Sequence, residues 1–207
     1  LLLRTKDFFK SVEKEKDYWQ ILKFYVILVV IVQIVSFLVN IPLFLSNSLF
    51  FNLVAVGLGS SIVLAFVTPF IAAALFHIGI LLYKSQGGYF NTFKPTAYSM
   101  AIYAMYSFAS SIIIGIINWF IPPNFDLILK GGSPWIYSLP ATIVSSVIGL
   151  IAIAHFTYAL VKGICYFQKI SVGKALVAII VIPVVITLII GIIFGAGTAF
   201  ILNAFGY

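Results

Sequence analysis

Few residues in this 207-residue chain can carry proton or metal chemistry, and their placing limits what that chemistry is. His77 and His155 are the two histidines. Each lies inside a long apolar run, His77 six residues before Tyr83 and His155 seven before Lys162, which is about 9–10 Å from the near end of a helix. An ionisable side chain inside an apolar span is a candidate for moving a proton or a solute. The plainer reading is a neutral imidazole bonded to a hydroxyl or carbonyl of the same bundle. Two histidines without a neighbouring Cys, Asp or Glu fall short of a four-ligand site, so no metal and no other cofactor is expected. The five acids lie in the N-terminal arm or in residues 122–134, so no carboxylate pair sits in an apolar run. No Ser–His–Asp motif and no phosphate-cradling glycine loop appears. The single Cys165 excludes an intrachain disulfide and reads as a small packing residue. These residues argue against an enzyme.

The elements that hold the histidines are set by composition. Hydrophobic residues make up 63% of the chain and charged residues 8%, against about 25% charged in a soluble domain. Lipid is therefore the expected solvent. The apolar runs divide into five spans, each near the ~20 residues needed to cross a bilayer, at about 24–45, 61–83, 96–121, 140–162 and 174–202. Pro69 and Pro183 are expected to kink or interrupt the second and fifth. A single helix from Asn52 to Tyr83 would be about 48 Å long, so 46–60 is assigned to an interfacial segment. Pro122-Pro123 ends the third span, and Trp135 anchors the following loop at the interface. Residues 1–23 form an amphipathic arm: Phe8, Val12, Trp19 and Leu22 share a helical face, interrupted by Glu15. The fold class is all-α, a five-span integral membrane bundle preceded by an interfacial helix.

Charge gives the orientation. The arm, the 84–95 loop and the 162–174 loop carry eleven of the twelve Lys/Arg residues, and Lys130 is alone on the other side. The positive-inside rule then puts the N-terminus in the cytoplasm and the C-terminus outside or in a lumen. Small residues mark the packing faces. Ser61, Ala65, Pro69, Ala73 and His77 follow one stripe, and Ser145, Gly149, Ala152, His155 and Ala159 another. Ser107, Ser111 and Gly115 form a third ridge, Gly191 and Gly195 a fourth. Packing within one bundle explains these ridges more simply than a dimer face, although a homo-oligomer is compatible with them.

The polar break between the second and third spans contains Gly87-Gly88, Phe90, Thr92-Phe93-Lys94 and Ala97-Tyr98-Ser99. The break between the fourth and fifth contains Lys169-Ile170-Ser171-Val172-Gly173-Lys174-Ala175. These two motifs, in this order and topology, resemble the Yip-domain family of five-span membrane proteins named for interacting with Ypt/Rab GTPases. The Phe8-Phe9 region is similar to prokaryotic members. Lys94 stands where the family more commonly has Arg, and the segment at Lys162-Gly163 departs from the family pattern. The resemblance implies a trafficking or membrane-shaping adaptor without catalytic activity, and a small GTPase or related membrane protein as a partner.

The expected function is a non-enzymatic scaffold. Lys84, Lys94, Lys162, Lys169 and Lys174 would meet anionic lipid headgroups or an acidic partner. Gly87, Gly88, Phe90, Thr92, Phe93, Tyr98, Ser171 and Gly173 would shape or anchor that surface. No nucleic-acid partner is expected. The alternative is a small-solute or ion permease that uses His77, His155, Gln33 and the proline-broken spans.

Overall fold

The computed structural model describes residues 5–45, 48–85, 87–121, 139–189 and 191. Among them every regular element is helical. A short helix α1 (Thr5–Ser11) precedes α2 (Tyr18–Leu45), α3 (Ser48–Leu81), α4 (Phe90–Phe120) and α5 (Leu139–Gln168). The last, α6, runs over Val172–Ile189. Five helices, α2 to α6, are long and apolar enough to cross a membrane. Their outward faces carry Ile27, Ile31, Ile34 and Leu38 on α2 and Leu150, Ile151 and Ile153 on α5, all exposed. In water such a surface would drive aggregation; in a bilayer it is the lipid contact.

Helix α4 is the centre of the bundle and packs against α2, α3 and α5, while α6 packs against α3 and α5. The contacts use small residues. Ala65 and Ala73 of α3 are buried with Pro69, and Ala152 and Ala159 of α5 are buried as well. Gly115 of α4 presses against Val39 of α2, leaving no room for a side chain. Beside it the Trp119 indole donates to the Val39 carbonyl at 2.9 Å.

Three sequence expectations change. The segment 48–60 is not separate from the second span: α3 is one helix of 34 residues, roughly 51 Å long. Ser60, and Ser61 just after it, both donate to the Gly57 carbonyl, side-chain to backbone bonds made within the helix itself. The 84–95 loop is also shorter than expected. Helix α4 begins at Phe90 and carries Pro95 within it; a proline this close to the start removes only one early hydrogen bond. Finally, the arm is not one amphipathic helix. Helix α1 stops at Ser11, residues 15–17 are irregular, and Asp17 caps α2 by accepting from the Trp19 amide at 2.9 Å. Trp19 faces outward while Val12 and Leu22 are buried. The expected loop 122–134, Trp135, Lys130 and the last turns of the fifth span lie outside the described residues.

Pro183 does not end α6. The turn before it, Val177–Val181, is π-helical, with the Ile182 amide reaching the Val177 carbonyl. A π-turn beside a proline absorbs the lost hydrogen bond within a continuing helix. This turn carries Ala178 against Gly79 of α3, where an added Cβ would lie 2.6 Å from the Ala178 oxygen and 2.8 Å from its Cα. Backbone meets backbone there, so neither side can yield cheaply. Gly79→Ala is expected to destabilise the bundle by about 1–3 kcal/mol through overpacking. Gly59→Ala on the same helix has open space around it and is expected to be neutral or to stabilise by up to about 1 kcal/mol. Thermal melts of the two variants in detergent, scored by the surviving monodisperse fraction, check this contrast.

Candidate functional site

The distinctive chemistry gathers at one end of the bundle, where α1, the start of α4, the end of α5 and the α3–α4 and α5–α6 turns converge. Lys94 occupies its centre. It sits in the second turn of α4 and is 1% exposed. Its ammonium donates to three carbonyls of the arm: Val12 at 2.9 Å, Glu13 at 3.1 Å and Glu15 at 2.5 Å. An ammonium has three donors, and all three are used. The Phe90 and Phe167 rings close over it, with centroids 5.1 and 5.0 Å from Nζ, adding cation–π attraction in a dry setting. Past the end of the helix the Val12 carbonyl accepts from the Glu15 amide at 3.2 Å, and the Glu13 and Glu15 carbonyls have no helical donor. At Glu13 and Glu15 Lys94 takes the place of the missing helical donors, so the break in the arm and the buried charge satisfy one another.

Side chains reinforce this latch. Tyr98 donates to the Glu15 carboxylate at 2.6 Å, and Tyr166 donates to that of Glu13 at 2.8 Å. Phe9 is fully buried and stands edge-on to Phe167, with centroids 5.8 Å apart. Phe8 stands edge-on to Tyr98 at 5.0 Å. Gly163 makes room for Phe9: a Cβ there would lie 2.5 Å from the Pro95 Cβ and 2.6 Å from the Phe9 ring.

A second network ties the helix ends together. Gln168, 1% exposed, donates to the Gly88 carbonyl at 3.1 Å and to the Thr92 hydroxyl at 2.8 Å, and accepts from Ser85 at 2.8 Å. The Thr92 hydroxyl lies 2.8 Å from Nδ1 of His77. Because Thr92 accepts from Gln168, its own proton is free for His77, which fits a neutral imidazole protonated at Nε2. The Gly-Gly pair divides its work here. A side chain at Gly87 would collide with the Gln168 carboxamide, whereas Gly88 is open and contributes its carbonyl. His155 is not part of this network; its Nδ1 lies 3.1 Å from the Tyr106 hydroxyl, deeper along α4 and α5.

The sequence-selected residues therefore divide into two groups. Thr92, Phe93, Lys94 and Tyr98 are buried, and Gly87, Phe90 and His77 are partly buried. For Lys94 this corrects the expected contact with headgroups, because its three donors are already bound to the arm. Lys84, Gly88, Lys162, Lys169, Ser171, Gly173 and Lys174 are exposed. Lys169 reaches over the Tyr166 ring at 4.8 Å, Lys162 over Tyr158 at 5.7 Å and Lys174 over Tyr83 at 5.8 Å. Sequence reasoning missed Phe9, Ser85, Gly163, Tyr166 and Gln168 as members of the site. Two signals pointed to it: Glu15 breaking the apolar face of the arm, and a glutamine at the end of an apolar span.

Lys94→Met is expected to release the arm, since a charged hydrogen bond is worth about 1.5–3 kcal/mol and three are lost together. Trypsin cleavage at Lys14 or Lys16 should accelerate about tenfold or more. Lys94→Arg, which keeps a multidentate cation, should leave the arm protected, as should Lys84→Met at an exposed site. Equal protection in Lys94→Met and the unmodified protein would remove the latch as a stabilising device.

The family model for the Yip1 domain matches residues 1–195, which include the arm, both networks and all of the described helices. No curated protein and no solved structure matches the chain. The match covers the two loop motifs together with the arm they hold, and the chain belongs to the Yip1-domain family.

Proposed function

We propose that this protein is a non-enzymatic membrane scaffold or adaptor whose lysine-rich end lies in the cytoplasm and engages anionic headgroups or an acidic protein partner. The observation that carries this reading is the backbone at two lysines. Lys84 has φ of 50° and Lys169 of 54°. Both are exposed, one after the end of α3 and the other directly after α5. The left-handed region costs an L-residue roughly 1–2 kcal/mol, and helices commonly end there with glycine. A lysine that only marks topology has no need of so unfavourable a position. Strain retained at an exposed charged residue favours a role in contact.

Lys162, Lys169 and Lys174 border the same end, and the latch gives it a fixed form. Each lysine near an anionic surface contributes about 1 kcal/mol, so these three with Lys84 supply up to roughly 4 kcal/mol before screening. Family membership favours a membrane-trafficking setting, with a small GTPase or related membrane protein as the partner class. Native mass spectrometry of the gently extracted protein tests the adaptor reading directly. A stoichiometric protein partner supports it; a chain that carries neither partner nor anionic lipid overturns it. Lys84→Gly/Lys169→Gly should retain thermal stability yet lose retained anionic lipid or partner several-fold. Unchanged retention would detach the lysines from the function.

One observation favours the permease reading. Tyr106, the partner of His155, lines a cavity of about 260 Å³ between α4 and α5 together with Ser110, Ser111 and Ser145. A hydroxyl-lined space beside a histidine suits a hydrated solute. Proteoliposome flux abolished by His155→Phe but retained in Lys84→Gly/Lys169→Gly would favour this alternative over the scaffold.

A further inference from the structure

A larger cavity, about 550 Å³, opens among α2, α3, α4 and α5 near the middle of their lengths. Its size falls within the ~300–1,000 Å³ of small-molecule sites. Most of its wall is valine, leucine, isoleucine, alanine, methionine and phenylalanine. Seven polar side chains line it as well: Ser61 and Ser107, which donate to the Gly57 and Tyr103 carbonyls of their own helices, and five others, Tyr25 and Gln33 from α2, Thr68 from α3, Tyr103 from α4 and Thr157 from α5. Among the described residues, none of these five side chains has a hydrogen-bond partner in the protein. That contrasts with the basic end, where Thr92, Gln168 and Lys94 are all bonded. Within the hydrocarbon layer there is little water to satisfy such groups. Donors and acceptors from four helices facing one apolar space are what a ligand site of matching polarity requires.

We infer that this cavity binds an uncharged amphiphile, an apolar body bearing a hydroxyl or ester head, taken from the bilayer. The head is uncharged because no Asp, Glu, Lys, Arg or His lines the space, and a charge at this depth needs a counter-charge. A carboxamide and four hydroxyls can each donate and accept, which suits a hydroxyl or an ester carbonyl. The apolar body meets the aliphatic wall.

The protein in nanodiscs, labelled with a photoreactive diacylglycerol analogue, tests this. Labelled peptides should map to the segments around Gln33 and Tyr103. Unlabelled diacylglycerol or a long-chain isoprenoid alcohol should displace the probe, and which of the two does so names the source of the head. Phosphatidic acid with the same chains should displace it poorly. Gln33→Leu should weaken labelling by about tenfold, the loss of one well-placed hydrogen bond in a dry site. Thr68→Val, nearly isosteric and at an exposed position, should weaken it in the same direction while leaving elution and melting unchanged. Labelling unaltered in both variants, or displaced equally by phosphatidic acid, would identify non-specific annular lipid and overturn the inference.

Discussion

The basic end of this bundle depends on one buried ammonium. Removing a lysine charge from water costs several kcal/mol unless its donors are all bound, and Lys94 meets that condition with three backbone carbonyls from one short stretch of arm. The condition propagates. The arm helix must end at Ser11 so that Val12, Glu13 and Glu15 present their oxygens together. Phe90 and Phe167 must cover the charge. Gly163 must lack a side chain so that Phe9 can bring the arm close enough. Arm, α4 and α5 are thereby held as a unit, and the spacing of glycines and aromatics in the loop motifs acquires a mechanical meaning within this chain. Glu13 and Glu15 serve twice, through their carbonyls to Lys94 and through their carboxylates to Tyr166 and Tyr98.

The spans were legible because membrane insertion imposes one rule along the chain: enough consecutive apolar residues to cross, and few charges among them. The small-residue stripes were legible for a related reason, since close helix approach leaves few choices of side chain. Ala65, Pro69 and Ala73 are buried as their spacing implies. Boundaries were harder. Hydropathy reports where lipid begins, whereas a helix ends where its backbone hydrogen bonds find other partners. Thus α4 starts at Phe90, six residues before the apolar run suggested.

The arm was the least legible part. Its helical face predicted an interfacial location, but periodicity cannot distinguish an apolar surface facing lipid from one facing protein. The decisive information lay far along the chain, in Lys94 and Tyr98, some eighty residues from their partners in the arm, and in Tyr166, 153 residues from Glu13. The same limit applied to Lys94. Its charge near a span end satisfied the topology rule as readily as the other lysines, and only tertiary contacts separate the buried lysine from the exposed ones. His77 shows the opposite case. Its stripe placed it toward the interior, but the partner Thr92 belonged to what the sequence presented as a loop.

The two halves of the bundle use polar residues in different ways. At the basic end, the side chains of Lys94, Gln168 and Thr92 are bonded within the protein, so a contact made there meets a surface whose form is already set. Preorganisation of this kind lowers the entropic cost of association. Near mid-length, Tyr25, Gln33, Thr68, Tyr103 and Thr157 around the large cavity lack protein partners for their side chains among the described residues. A ligand entering that space would stiffen α2, α3, α4 and α5 together. Since α4 and α5 carry Lys94, Phe90 and Phe167 at their near ends, occupancy of the cavity and order in the latch share two rigid elements. Coupling between them requires only that the ligand favour one spacing of these helices over another.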